Sequence, residues 1–113
     1  MPFIDCKITT KLRDGQKEEL KSAFGRAISN MHKPESYLMV GISDGYDLWF
    51  AGQKLSNGAF VDVRAFGSVN ASDCRAMTAA ICDILSRVAD VEPSGVYVTY
   101  GGYADWGWNG DNF

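Results

Sequence analysis

Phe3-Ile4-Asp5-Cys6-Lys7-Ile8 has a counterpart in the second half of the chain, Phe60-Val61-Asp62-Val63-Arg64-Ala65. Phe and Asp are identical in the two stretches, and most of the other positions match in type. Apolar and polar residues alternate in both, which is the pattern of a β-strand with one buried face. A repeat over this distance indicates that the chain consists of two similar structural units.

Two helical patterns occupy equivalent places after the two strands. Apolar residues recur at i, i+3, i+4 and i+7 from Leu20 to Met31 and again from Met77 to Val88, so each helix is predicted to bury one face. Pro34 and Pro93 follow them, where proline prevents the helix from continuing. Apolar stretches at 36–41 and 96–100 then predict a second strand in each half.

Each half is therefore predicted to be a β-α-β unit, and the fold class is α/β (α+β). Two right-handed units give one four-stranded mixed sheet with both helices on one face. We predict a single domain over residues 1–113, with pseudo-repeats at about 2–57 and 59–113. Residues 46–50 are expected to form an additional short strand, and residues 51–58 a loop.

The second face of the predicted sheet is half apolar and half charged. It carries Phe3, Asp5 and Lys7 in the first half and Phe60, Asp62, Arg64 and Phe66 in the second. Such a face is too apolar for full solvation and too polar for a monomer core, so we expect it to be covered by other copies of the chain.

Composition excludes several classes of protein. The 113 residues are 46% hydrophobic and 22% charged, with a net charge of -3 and no basic cluster, so nucleic-acid binding is not expected. No apolar run is long enough to insert into a membrane, and no signal peptide is recognised, so a cytoplasmic location is expected. Three cysteines without C-x-x-C spacing predict neither disulfides nor a metal site, and no cofactor is expected.

The start of the chain, Met1-Pro2, offers a catalytic group. If Met1 is removed, Pro2 becomes a free secondary amine, and burial lowers the proton affinity of an amine. A neutral amine at pH 7 can act as a general base. The structural alternative is that Pro2 is a stiff first residue of a strand, a position that proline tolerates.

The last eleven residues, 103–113, contain two tryptophans and a terminal phenylalanine among glycines and asparagines. These aromatic side chains could cap the core of the domain or form the wall of a ligand pocket.

The sequence resembles the macrophage migration inhibitory factor (MIF) family of the tautomerase superfamily. The resemblance rests on Met1-Pro2, on His32-Lys33-Pro34-x-x-Tyr37, on Ala65-Phe66-Gly67, on Val96-Tyr97 and on the tail Gly107-Trp108-Asn109-Gly110-x-x-Phe113. It implies a MIF-like homotrimer with an active site at each subunit interface. It also implies an isomerase that interconverts the keto and enol forms of a small aromatic 2-keto acid such as phenylpyruvate, or of dopachrome.

The same resemblance assigns roles to individual residues. Pro2 matches the catalytic base, Lys33 the cation that holds the substrate carboxylate, and Phe66 the residue whose backbone N–H assists Lys33. The pocket lining is matched by Tyr37, Tyr97, Thr99, Trp106, Trp108 and Phe113, with Tyr97 expected from the neighbouring subunit.

The sequence departs from the family pattern in ways that affect substrate choice. Thr99 stands where many members have Asn, while Phe66 and Trp106 replace smaller side chains and are expected to narrow the pocket. Arg64 reads mainly as a solvated surface residue, with a second anion site as the alternative. The family's C-x-x-C is missing, so thiol redox activity is not expected.

Two other functions remain open. One is a cytokine-like protein, secreted without a signal peptide, that binds a protein receptor and has only vestigial catalysis. The other is a decarboxylase or dehalogenase that uses the same proline.

Overall fold

The computed structural model describes all residues from Met1 to Phe113. Each half contains a strand, a long helix and a second strand, as the repeat predicts. In chain order the elements are β1 (Pro2–Ile8), α1 (Asp14–Ala27), β2 (Met39–Ser43), β3 (Trp49–Phe50), β4 (Gln53–Lys54), β5 (Ala59–Phe66), α2 (Ala71–Ala89), β6 (Val96–Tyr103), β7 (Gly107–Trp108) and β8 (Asp111–Asn112).

One mixed four-stranded sheet, in the order β2-β1-β5-β6, forms the centre of the molecule. The outer pairs, β1 with β2 and β5 with β6, are parallel, and the two halves meet through antiparallel pairing of β1 with β5. That central pairing places Pro2 opposite Ala65 and Phe3 opposite Arg64. The predicted fold class and the duplicated β-α-β units are confirmed.

The hydrophobic core lies between the sheet and the two helices. Alternate residues of β1 and β5, among them Ile4, Cys6, Val61 and Val63, are fully buried against the apolar faces of both helices. Pro2 belongs to the same set of fully buried side chains. The core therefore reaches the first strand residue of the chain.

Helix α2 begins after Asn70, whose side chain accepts a hydrogen bond from the Asp73 backbone N–H at 2.9 Å and so caps the helix. Helix α1 is shorter than its apolar pattern, since residues Ile28–Met31 form a 3-10 helix. That segment ends at His32, whose φ of 57° is the left-handed conformation that commonly terminates helices.

Two strand predictions need correction. The strand expected at 36–41 begins only at Met39, because residues Glu35–Tyr37 form a 3-10 helix. The strand expected at 46–50 is limited to β3, and the loop expected at 51–58 contains its partner β4. The tight turn between them has positive φ at Ala51 and Gly52, as a two-residue hairpin requires. The sequence does not indicate this turn, because alanine is uncommon at positive φ.

The outer face of the sheet has a charged centre. Asp5 lies directly opposite Asp62, an arrangement of like charges that is unfavourable in isolation. Each carboxylate has its own cation: Lys7 lies 2.6 Å from Asp5, and Arg64 lies 2.8 Å from Asp62. Thr99 also donates a hydrogen bond to Asp62 at 2.8 Å. Each of the two facing carboxylates is therefore neutralised by a cation on its own strand.

Neither helix has the combination of length and apolar composition that crossing a membrane requires.

Candidate active site

A cavity of about 740 Å³ opens beside the N-terminal end of β1. Apolar and aromatic groups make up most of its wall, and a few polar groups are placed among them. The lining consists of Met1, Pro2, Phe3, Ser36, Tyr37, Leu38, Met39, Arg64, Tyr103, Asp105, Trp106, Gly107 and Trp108. A concave, largely apolar space with few polar groups is typical of a small-molecule site.

The end of β1 forms the floor of this cavity. Pro2 is buried and paired with Ala65, so the chain cannot fray at this point. The Met1 carbonyl accepts a hydrogen bond from the Phe66 N–H at 2.9 Å. The pKa of the Met1 amine is below its ordinary value, because desolvation and then the nearby Lys33 charge disfavour the ammonium form. The environment therefore favours a neutral amine.

Lys33 is oriented by the strand that neighbours β1. Its ammonium group donates a hydrogen bond to the Phe66 carbonyl at 3.0 Å. Phe66 therefore contributes both backbone groups to the site, its N–H to Met1 and its C=O to Lys33. The structure brings together Pro2, Lys33 and Phe66, the three residues to which the resemblance assigns the base and the carboxylate contacts.

The tail forms the aromatic wall through a short hairpin of β7 and β8. Asn109 and Gly110 both have positive φ, 55° and 82°, as the two central residues of a type I′ turn require. The hairpin places Trp108 in contact with Tyr37, with ring centroids 6.0 Å apart, and stacks it on Phe113 at 6.1 Å. Tyr103, Trp106 and Trp108 of the tail line the cavity.

Two further aromatic contacts close the wall. Phe66 packs on Phe113 with ring centroids 5.6 Å apart, and Trp106 packs on Tyr103 at 6.2 Å. The rings of Tyr37, Trp108, Phe113 and Phe66 therefore form one chain of contacts, and Trp106 contacts Tyr103 separately. Of the predicted pocket residues, Tyr37, Trp106 and Trp108 line the cavity, whereas Phe66 and Phe113 lie outside its lining.

Tyr97 and Thr99 do not join this group within one chain. Tyr97 is opposite Phe60 at the far end of the sheet, about 17 Å along the strand from the level of Pro2. It is 60% exposed and contacts Phe50 and Phe60. Thr99 is held on Asp62. Any role for these two residues in the pocket would need a second copy of the chain.

Sequence reasoning did not identify several lining residues. The alternation in β5 predicts mainly a surface position for Arg64, and no pattern in the tail distinguishes Tyr103 or Asp105, yet all three line the cavity. The signal available for Arg64 was its position in the repeat, because the pairing of the two repeated strands places it opposite Phe3, beside the start of the chain.

The thiols lie outside this site. Burial raises the pKa of Cys6 to about 12, and burial also raises the pKa of Cys74 and Cys82. Because the thiolate is the reactive form, these cysteines are poor nucleophiles near neutral pH.

Comparison with known proteins identifies the class. The family model described as macrophage migration inhibitory factor (MIF) matches residues 1–113. The chain therefore belongs to the MIF family, and its fold matches that of MIF and tautomerase structures. Among curated proteins, none matches the sequence.

Solved structures agree with this assignment. Leishmania major MIF2 is 29% identical, with a TM-score of 0.91 over 100% of this chain and 97% of that chain. Pt0534, inactivated by 2-oxo-3-pentynoate, is 18% identical, with a TM-score of 0.84 over 96% and 93%. A fused 4-OT, solved as an asymmetric trimer, is 14% identical, with a TM-score of 0.79 over 97% and 94%. The last two similarities concern the fold.

The Lys33 charge is expected to set part of the acidity of the N-terminal amine. In Lys33→Met the amine loses one of the two causes of its lowered pKa, so that pKa should rise while remaining below the ordinary value because of burial. An NMR titration of a chain that retains an isotope-labelled Met1 measures the pKa of this amine. Lys7→Met, which removes the cation paired with Asp5, is the matched control and should leave the amine unchanged. Equal shifts in both variants would contradict a specific effect of Lys33.

Proposed function

We propose that Met1 is removed and that the chain is a keto–enol tautomerase of aromatic 2-oxo acids, with the Pro2 amine as general base. The observation that carries this proposal is the burial of Pro2 at the floor of an aromatic cavity, next to Lys33 and the backbone of Phe66. No other buried group in the lining is suited to accept a proton from carbon near neutral pH.

The reaction needs one base and a site for negative charge. The Pro2 nitrogen takes the proton from the carbon next to the keto group, and the C–H electron pair moves toward the carbonyl oxygen as the enolate forms. The same amine, now protonated, returns the proton to that oxygen, which completes the enol. Because the proline ring fixes the direction of the nitrogen lone pair, little rotational freedom is lost in the transition state.

Substrate binding follows from the groups around the amine. Lys33 supplies a point charge for the carboxylate. The Met1 carbonyl oxygen occupies the Phe66 N–H in the unprocessed chain. Loss of Met1 would free that donor at the same time as it creates the Pro2 amine, so a carboxylate oxygen could take the place of the Met1 carbonyl. The aromatic side chains of Tyr37, Trp106 and Trp108 in the cavity wall suit the substrate ring.

Blocking the amine tests this proposal. The Met1-free chain should catalyse phenylpyruvate ketonisation, and its kcat/KM should rise with pH through one ionisation below that of a solvated proline amine, because only the neutral amine is a base. A chain with Ala inserted before Pro2 should be slower by about 10²–10⁴-fold, the contribution of a well-placed general base. Pro2→Gly keeps a terminal amine and should retain part of the activity.

Full activity in a chain shown by mass spectrometry to retain Met1 would refute the role of Pro2. Circular dichroism of the blocked chain provides the control for folding.

We further propose that the chain acts as a homotrimer. Tyr97 is exposed on β6 and contacts Phe50 of the β3-β4 hairpin, which is also exposed, and a second copy would cover this aromatic patch. Within one chain Tyr97 lies far from the pocket, so a neighbouring subunit would also supply Tyr97 to it.

Sedimentation equilibrium should give three times the chain mass of 12.4 kDa at micromolar concentration. Tyr97→Asp places a charge in the aromatic patch and should shift the mass distribution toward single chains. Glu18→Gln, at an exposed position of helix α1, should leave that distribution unchanged. A wild-type mass of one chain would contradict the trimer.

A further inference from the structure

Arg64 is the one lysine or arginine side chain among the residues that line the cavity, and Lys33 lies next to that lining, bound to the Phe66 carbonyl. It projects from β5 opposite Phe3, and its guanidinium carbon lies 6.0 Å from the centroid of the Phe3 ring, which also lines the cavity. In the mechanism proposed above, the substrate carboxylate uses Lys33. Arg64 is therefore a cation in the pocket wall that has no role in the proposed reaction.

The Arg64 guanidinium is oriented and still has donors to offer. Its Nε donates to the Asp62 carboxylate at 2.8 Å, and Asp62 is held in turn by Thr99. Arginine carries five N–H donors in a planar fork, so the two terminal nitrogens remain available for a planar anion. Such a fork matches the geometry of a carboxylate.

Along β5, the backbone position of Phe66, which binds Lys33, and that of Arg64 lie on either side of the residue paired with Pro2. Lys33 is bound to the carbonyl of Phe66, while Arg64 is two residues earlier on the same strand, about 7 Å along the backbone. Pro2 lies opposite Ala65, between these two positions. A substrate whose first carboxylate is at Lys33 and whose reacting carbon is at Pro2 therefore extends toward Arg64.

We propose that Arg64 determines specificity by binding a second carboxylate of the substrate, so that the preferred class is an aromatic 2-oxo acid with an acidic group on the ring. This inference rests on the proposed tautomerase function. Asp62 holds the guanidinium in place. Asp105 is the one carboxylate in the lining, and its charge disfavours an anion next to it.

The test compares two substrates in the Met1-free chain. Phenylpyruvate has no second charge, whereas 4-carboxyphenylpyruvate carries a carboxylate on the ring. We expect Arg64→Gln to lower the ratio of kcat/KM for the carboxylated substrate to that for phenylpyruvate by about 10- to 100-fold, the effect of one charge-assisted contact. An unchanged ratio, whether both rates stay constant or fall together, would overturn the proposal.

Two variants separate recognition from the effect of the ion pair on folding. Asp62→Asn breaks the same pair but keeps the cation, so the preference for the carboxylated substrate should persist. Arg64→Lys keeps the charge but loses the fork, and it should retain part of the preference. Loss of the preference in Asp62→Asn equal to that in Arg64→Gln would assign the effect to the ion pair and overturn the role of Arg64.

Binding of inert analogues makes the proposal testable without catalysis. Cinnamate and 4-carboxycinnamate differ by the same ring carboxylate, and calorimetry measures their affinities. If the wild type turns over neither keto acid, the proposed function fails. Tighter binding of 4-carboxycinnamate by at least 10-fold, lost in Arg64→Gln, would then still support Arg64 as the anion-binding residue, whereas equal affinities would refute it.

Discussion

The double pairing of β1 is the constraint on which the rest of the structure depends. A strand that is the first in the chain would fray at an edge, but β1 lies between β2 and β5 and is hydrogen-bonded on both sides. The register with β5 fixes Pro2 opposite Ala65 and buries it in the core. Because of this pairing, the start of the chain is a rigid part of the site instead of a mobile end.

The same pairing sets the polar groups around Pro2. Phe66, at the end of β5, presents its N–H toward Met1 and its carbonyl toward Lys33. Arg64, two residues earlier, lines the cavity. One strand therefore determines the position of both cations, while the hairpin around Asn109 and Gly110 determines the position of the aromatic wall. These two elements are far apart in the sequence, and they meet only through the sheet.

Much of the fold was predictable, because the repeat and the helical periodicity carry most of the information. Alternation in 3–8 and 60–65 gave the two central strands, and the apolar stripes gave both helices. The start of β2 was not predicted, because apolar residues near Tyr37 have the composition of a strand although they form a 3-10 helix. Local composition could not reveal this difference, which depends on how the segment packs.

The candidate site was predictable where a residue's neighbours in the fold follow from strand pairing or from the resemblance. Pro2, Lys33, Phe66 and the aromatic tail were placed together by the resemblance, and the structure brings them together. Tyr97 depends on an interface that a single chain does not contain. Arg64 was underestimated because an arginine on an alternating strand is usually solvated. Its position beside the start of the chain follows only from the antiparallel register of β1 and β5.

The central claim is that Pro2 is a neutral, reactive amine in a cavity that accepts 2-oxo acids. Labelling by 2-oxo-3-pentynoate, a 2-oxo acid that carries an electrophilic alkyne, tests it most directly. Addition of the amine nitrogen to the alkyne forms an N–C bond, the proton moves to the neighbouring carbon, and the chain gains the full mass of the reagent. Mass spectrometry of the Met1-free chain should show one adduct per chain, located on Pro2, and a chain with Ala before Pro2 should show none there. Labelling that falls on Lys33 or the cysteines, or that is equal in the two chains, would contradict the account.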